Sequence, residues 1–329
     1  MCPSGASILV SIVSTNDGHW LGACLDSLIA LRAQVDVVVV ANMCNDQTEE
    51  ICARSPLEVA ILRTSARLGF AACNNLCLTK ALQEGYEYAF LLNPDTRVHP
   101  RAIDSLLDFM RSREKFGIVG SLQIEYGDET WSQLNEWSQI TLDHAATLGS
   151  REKHANGLTW IEHYYVQGAA MMLRLTLTRR IGLLDPVYRT FYEETDLCRR
   201  SLMTGQKVAI LLDSKVQHYG GGNWKADIKR HQERDRLFLR NQFLYYMSGA
   251  ESRPLMIFEA VRVLAHGIKT VLLHREDVIL PWWQYISVVW SAAFRLKDIF
   301  RLYRRNRIIH SGGFVPESLW QVGSDPGYS

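Results

Sequence analysis

No two cysteines stand at CxxC spacing; the seven (Cys2, Cys24, Cys44, Cys52, Cys73, Cys77, Cys198) are scattered and odd in number. That excludes a disulfide framework and a zinc ribbon. It predicts mostly buried, reduced thiols in a cytosolic compartment. Charge of one sign is also lacking: 36 Lys+Arg face 35 Asp+Glu, a net +1, which gives no bulk attraction to nucleic acid. There is no repeat and no low-complexity run, and at 47% apolar and 22% charged residues the chain is not disordered. The early apolar run Ser7–Val13 has no basic leader and ends in a polar turn, so it reads as a strand rather than a secretory signal. The longest apolar stretch, Val278–Phe294, is interrupted by Pro281 and Gln284. It falls short of the roughly 20 residues that span a bilayer, and predicts a helix that is buried or lies in a membrane interface. Neither a GxGxxG fingerprint nor a Walker loop is present.

What is present is an alternation of strand and helix patterns. Ile8–Ser14, Val35–Val40, Val59–Leu62, Tyr88–Leu92 and Gly117–Gly120 read as strands, and Trp20–Leu31, Asp46–Arg54, Ala71–Glu84 and Arg101–Arg113 as helices. This order predicts an α/β fold, a mostly parallel sheet with helices on both faces. Ile124–Tyr164 loses the pattern and predicts irregular or antiparallel structure. Tyr165–Leu173 is strand-like, Leu175–Ile181 helical, and Lys207–Leu212 a strand; beyond Ile228 the chain is mostly helical, aromatic and basic. Length allows one large domain or two medium ones.

Four constellations carry chemistry. Asn93-Pro94-Asp95 follows a strand, where ligands collect in open α/β sheets, and a carboxylate there can hold a divalent cation; the same residues also suit a plain turn. Glu193-Glu194-Thr195-Asp196 packs three carboxylates into four residues. One, held among apolar neighbours, would rise toward the pKa of a general base; the competing reading is a helix N-terminus. Glu194 and Asp196 cannot share a helix face and so do different jobs. His218 heads a glycine run, Gly220-Gly221-Gly222, that could order over a ligand, and could itself ligate a metal. Arg67-Leu68-Gly69-Phe70 leads into a helix whose amides could face an anion, but Asn74 and Asn75, poor helix formers early in it, suggest side-chain hydrogen bonds, and by itself the segment reads as structural.

The order of Ser14-Thr15-Asn16, Asn42-Met43-Cys44-Asn45-Asp46, Leu68-Gly69-Phe70-Ala71, Asn93-Pro94-Asp95, Gly168-Ala169-Ala170-Met171, Phe191–Leu197 with Arg200, and His218 resembles the GT-A family 2 glycosyltransferases, and within them the bacterial rhamnosyltransferase-like branch. The resemblance covers roughly residues 7–245. It implies a GT-A (nucleotide-diphospho-sugar transferase) fold with a Rossmann-like sheet, and an inverting, metal-dependent transfer to a glycan or polyprenyl-linked acceptor. It places Thr15, Asn16, Asn42, Asp46, Gly69, Asn74, Asn93, Asp95 and Arg200 on the nucleotide-sugar donor (dTDP- or UDP-sugar). Asp95 and His218 would hold Mg²⁺ or Mn²⁺. Glu194 would act as the base, with Glu193 and Asp196 beside it in the catalytic set. Ala41 stands where the family usually has a carboxylate, Asn93 replaces the first Asp of DxD, and Glu194 replaces an Asp. Two rivals stay open: a sugar-nucleotidyltransferase, and a relative that binds glycan without chemistry.

The division expected is a catalytic domain over 1–245 and a basic, aromatic helical extension over 246–329. In the extension, Arg295–Arg307 mixes apolar and basic residues downstream of Pro281-Trp282-Trp283 and Trp290. That pattern suits peripheral contact with the inner face of the cytoplasmic membrane, packing on the catalytic domain, or a homo-oligomer contact.

Overall fold

Four β-branched or aromatic strands, β1 (Ile8–Ser14), β2 (Val35–Ala41), β3 (Val59–Arg63) and β4 (Tyr88–Leu92), pair in parallel. Every residue of β1 and β4 is buried, because helices cover both faces. The structure, a computed structural model, describes residues 7–220, 228–249, 287–288, 290–291 and 295–319. The remaining strands are β5 (Thr96–Val98), β6 (Phe116–Glu125), β7 (Glu152–Ala155), β8 (Leu158–Glu162), β9 (Ala170–Arg174) and β10 (Lys207–His218). The sheet order is β3-β2-β1-β4-β9-β6-β10-β8-β7, with β5 paired to the end of β10. Only β9 and β8 run against the rest of that path, so the sheet is mostly parallel, as the strand–helix alternation predicts.

Alternation along β1 separates two cores. Leu9 and Val13 face the side covered by α3 (Phe70–Glu84), α6 (Leu175–Ile181) and α7 (Glu193–Met203). Ile8, Val10 and Ile12 face the side covered by α1 (Gly18–Ile29) and α4 (Ala102–Arg111). Fully burying such a side chain contributes about 1.5–3 kcal/mol, so the sheet centre is the rigid part of the molecule and its loops carry the variable chemistry. Between β2 and β3 lies α2 (Thr48–Arg54). Two later helices, α8 (Ile228–Gly249) and α9 (Leu296–His310), pack together on Val187 and Tyr188 through Phe243, Leu244, Ile299 and Leu302.

The structure departs from the sequence reading in four places. The segment expected to be irregular or antiparallel does hold the antiparallel β7–β8 hairpin, but it also holds a helix that was not expected, α5 (Glu136–Thr147), started by Asn135, whose side chain accepts from the Ser138 amide. Residues 163–169 are not strand; β9 begins at Ala170, where pairing to β4 and β6 begins. β10 runs on past Leu212, through an irregularity between Leu211 and Lys215, to His218. The helix expected to open near Phe191 begins at Glu193. Most of the expected helix near Val278–Phe294 lies outside the described residues, residues 287–288 and 290–291 of it being helical, and the glycines Gly221 and Gly222 also lie outside them. No helix among the described residues is long and apolar enough to cross a membrane. Cys24, Cys52, Cys73, Cys77 and Cys198 are buried free thiols, and burial pushes each well above the usual thiol pKa.

Candidate active site

The carboxyl ends of the parallel strands gather most of the predicted residues. Asn93 ends β4 and is tied to the strand beside it, its amide donating to the carbonyl of Ala169 at 2.9 Å. Asp95 lies two residues on. β5 then pairs antiparallel with β10, Thr96 opposite His218, which brings a histidine 123 positions away in sequence (218 − 95) against Asp95. His218 Nε2 stands 3.3 Å from Asp95 Oδ1 and 3.4 Å from Asn93 Nδ2.

The tautomer of His218 follows from its other nitrogen. Nδ1 lies 2.8 Å from Gln123 Oε1, an atom that can only accept. Asn135 Nδ2 donates to the same Oε1 at 3.2 Å, which supports oxygen at that position. Nδ1 therefore carries a proton, and Nε2 is the nitrogen turned toward the Asp95 carboxylate. A histidine oriented by an acceptor behind it is how proteins prepare a metal ligand. Burial alone would raise the pKa of Asp95, but His218 and the Gly220 amide hold it below the usual carboxylate range. The pair fits a divalent cation that takes one or two protein ligands and completes its shell with phosphate and water. Among the described residues no group of three or more His, Cys, Asp or Glu could hold an ion alone. Gln123 and Asn135 were not legible beforehand because both lie in or beside the segment where periodicity failed.

On the other side of Gly168-Ala169 stands Glu194. A Cβ added at Gly168 would lie 3.7 Å from Glu194 Cβ and 3.5 Å from the Phe70 ring. Ala169 bonds Asn93, so the chain of contacts from Asp95 to Glu194 passes through Asn93, Ala169 and Gly168, at the carboxyl end of β4. Glu194 Oε2 and Glu193 Oε2 are both enclosed, and among the described residues neither has a hydrogen-bond partner. Burial raises both acids, Glu194 to about 7 and Glu193 well above its usual range, the Glu194 charge adding to the effect on Glu193. Two adjacent buried acids titrate as a pair. Glu193 is nearly sealed, at 3% exposure, whereas Glu194 is partly exposed and is the member that can meet a ligand.

The sequence profile described as "Glycosyltransferase like family 2" matches residues 4–234, most of the chain. The chain belongs to this family. No curated protein matches it in sequence. Solved structures agree on the fold. The Pyrobaculum calidifontis mannosyltransferase PcManGT, solved with GDP-Man and Mn²⁺, superimposes with a TM-score of 0.57 at 12% identity over 97% of this chain and 89% of its own. GalNAc-T7 with UDP, GalNAc and Mn²⁺ gives 0.53 at 16% identity, covering 74% of this chain but only 50% of its own. S. aureus TarS 1-349 gives 0.51 at 13% identity, covering 94% and 93%. The α/β sheet is thus a GT-A glycosyltransferase fold.

Within this glycosyltransferase, several residues expected on the donor act through loops instead. Asn42 uses its whole amide: Oδ1 accepts from the Leu68 amide (2.9 Å) and Thr64 Oγ1 (3.2 Å), and Nδ2 donates to the Leu68 carbonyl (2.9 Å) and Thr15 Oγ1 (3.2 Å). It ties the β1 and β3 loops together and has nothing left for a nucleotide. Asn74 is 1% exposed, accepting from Ser11 and donating to the Phe70 carbonyl. Asp46 caps two helix starts, accepting from the amides of Gly18 (2.7 Å) and Thr48 (3.1 Å), and against desolvation the Thr48 side chain and then those amides hold its pKa down. Asn16, at φ 63°, accepts from the Asn45 amide at 2.8 Å. Thr15, Asn16 and Asp46 keep exposed atoms on this rim.

The clearest corrections are Asp196 and Arg200, expected in the catalytic and donor-contact sets. Both are 0% exposed. Asp196 binds Arg199 (3.0 Å), Arg200 (2.9 Å) and Arg305 (2.6 Å), and Arg200 also donates to the carbonyls of Ile181, Gly182 and Leu183. Neither can touch a substrate while that cluster is closed. The Asp196 face of α7 is structural.

Gly69 has a packing reason. A Cβ there would meet Arg189 Cα at 2.6 Å and Arg189 O at 2.7 Å, and backbone cannot yield as a side-chain tip would. Gly69→Ala is expected to destabilise by about 1–3 kcal/mol through overpacking, read as a lowered melting temperature. An unchanged melting curve would show that the β3–α3 loop yields without cost.

Proposed function

We propose that this glycosyltransferase is metal-dependent and inverting, and moves a sugar from a nucleotide-diphosphate donor to a hydroxyl of a glycan or lipid-linked glycan. The observation that carries the reading is the pairing of a pre-oriented cation site, Asp95 with His218, and an unpartnered, pKa-raised carboxylate, Glu194, on two sides of Gly168-Ala169. Mn²⁺ with UDP or GDP-Man in two proteins of the same fold supports a divalent cation and a nucleoside-diphosphate leaving group. The resemblance to rhamnosyltransferases makes dTDP-rhamnose the first donor to try.

Asp95 and His218 would hold the cation, which supplies positive charge where the departing diphosphate gathers negative charge. Glu194 accepts the proton of the incoming hydroxyl as its oxygen attacks the anomeric carbon. One carboxylate on the acceptor side suffices for a single displacement, and that displacement inverts the centre. Ala41, buried at 3% exposure, leaves the usual base-contacting carboxylate out, so the nucleotide is read by other atoms of the Thr15–Asp46 rim.

A thermal-shift panel of UDP-, dTDP- and GDP-sugars with and without Mn²⁺ tests the donor half. A ligand at 100 times its Kd stabilises by about 2.7 kcal/mol. One nucleotide should raise the melting temperature only when Mn²⁺ is present, and Asp95→Ala should abolish that increment while melting normally without ligand. Equal shifts with and without metal, or an Asp95→Ala protein that keeps the increment, would remove the cation site from the proposal.

A further inference from the structure

The backbone leading into the Glu193-Glu194 turn is in an unusual conformation. Arg189 (φ 61°), Phe191 (71°) and Tyr192 (72°) all occupy the left-handed region, three bulky residues within four positions. The Thr190 amide closes a tight turn on the Tyr188 carbonyl at 2.7 Å around Arg189, but side chains of this size disfavour the conformation, so surrounding structure must also hold it. Two elements do so. From the α3 side, the Ala71 amide donates to the Arg189 carbonyl at 2.9 Å, with the Gly69 backbone packed directly on Arg189. From the α8 side, Asn241, at 0% exposure, aims one amide group at three carbonyls: Tyr188 at 2.6 Å, Thr190 at 2.8 Å and Phe191 at 2.8 Å. Its neighbour Arg240 donates to Val187 (3.0 Å) and Tyr188 (3.1 Å).

An amide nitrogen has two hydrogens, so three carbonyls converge on two donors, with at least one bond shared. A cluster of carbonyl oxygens pointing at one place repels itself unless a donor sits there. Asn241 is the donor shared by all three, and the segment it gathers ends at Phe191, two residues before Glu193 and three before Glu194.

We propose that Asn241 is a positioning residue for transfer: by collecting the carbonyls of 188, 190 and 191 it fixes the left-handed segment that aims Glu194. This rests on the assignment of Glu194 as the base, and it places part of the active-site machinery on helix α8, outside the motifs that carry the family resemblance.

Asn241→Asp keeps the shape but replaces both donors with an oxygen that only accepts, facing three carbonyls. The comparison is between wild type, Asn241→Asp and Glu194→Gln, each full length. Amide hydrogen exchange in peptides covering 187–197 should quicken at least about tenfold in Asn241→Asp, with β1 and β4 unchanged, as a local opening does. Mn²⁺-dependent binding of UDP, dTDP or GDP should stay within about threefold, while release of nucleoside diphosphate from the matching sugar donor falls about a hundredfold, the size of a misplaced catalytic group. A general loss of packing would instead raise exchange everywhere and weaken nucleotide binding in step, and that result overturns the proposal, as does a folded Asn241→Asp with wild-type exchange over 187–197. If Asn241→Asp does not fold, Arg240→Met takes its place, with the same local exchange expected at smaller amplitude and unchanged exchange counting against it. Full turnover in Glu194→Gln alongside faster 187–197 exchange in Asn241→Asp would show that the base reading has failed while the clamp is real, and Asn241 would then position no base.

Discussion

Glu194→Gln should bind donor and metal as wild type does, lose about two to four orders of magnitude in transfer, the range a positioned general base supplies, and melt at a higher temperature than wild type at pH 8. The first two effects follow from chemistry: glutamine has nearly the shape of the acid but cannot take a proton. The third follows from linkage. In the folded state burial raises the Glu194 pKa from 4.5 to about 7, so between those values the folded protein holds a proton that the unfolded chain has released. Stability therefore falls as pH rises through this window and levels off above it. Wild type and Glu194→Gln should melt together near pH 4.5 and separate progressively up to pH 7. Calorimetry across that range, with nucleoside diphosphate release on the same samples, reads both. Parallel melting curves would place the Glu194 carboxylate in water and remove the reason to assign it as the base. On this reading the enclosure of Glu194 is a stability cost retained for reactivity. In wild type, transfer should rise with pH over the same window in which stability falls, because both report the same ionisation.

The parts of the molecule readable from sequence are those with a short period or a fixed turn chemistry. β1, β2, β4 and the helices between them announce themselves through apolar spacing, and Asn93-Pro94-Asp95 marks the end of β4 because those residues suit the turn. Glu193-Glu194 stands out because adjacent carboxylates before an apolar helix need a reason. What was not readable depends on partners far along the chain. Asp196 looks no different from Glu194 in sequence, since the arginine that binds it most closely stands 109 positions later. Asn42 and Asn74 look like ligand amides until Leu68, Thr64 and Ser11 are seen to occupy them. Gln123, which fixes the His218 tautomer, is an ordinary strand residue until β10 carries His218 past it. Asn241 carries no local signal at all. The basic spacing of Arg295–Arg307 was read as equally suited to a membrane or to packing, and the structure divides it by residue. Arg301 and Arg305 turn inward to Asp185, while Lys297, Arg304 and Arg307 remain exposed.

That inward pair leads to the largest stability effect expected here. Four guanidinium groups, Arg199, Arg200, Arg301 and Arg305, surround two carboxylates, Asp185 and Asp196. Arg305 spans both acids at 2.6 Å, is 0% exposed, and is the link by which α9 grips α7. With cations in excess, the two kinds of deletion are not equivalent. Arg305→Met removes one positive charge and leaves Asp196 with Arg199 and Arg200, and Asp185 with Arg301, so neither acid is stranded. Asp196→Ala removes the only carboxylate that, among the described residues, neutralises Arg200 by direct contact, and leaves Arg199 and Arg200 beside an Arg305 held by Asp185 alone. Breaking a buried pair so that charge is left uncompensated costs about 3–5 kcal/mol, and Asp196→Ala belongs in that range with Arg305→Met clearly below it. Arg305→Lys should not restore wild-type stability, because an ammonium is a point charge that cannot serve two carboxylates as a planar fork does. The pH dependence has a definite sign. Against desolvation, Arg305, Arg200 and Arg199 hold the Asp196 pKa far below the usual carboxylate range. Its contribution is therefore complete above the unfolded value, near 3.9 for an aspartate, and is lost only as pH falls toward the folded value. The deficit of Asp196→Ala should thus be constant from pH 5 to pH 8 and shrink in stronger acid, the opposite trend to Glu194 two residues away. Urea melts of the three variants at pH 5 and pH 8 test the ranking. If Arg305→Met proves the more damaging change, the cluster is held together by the α9 guanidinium rather than by its carboxylates.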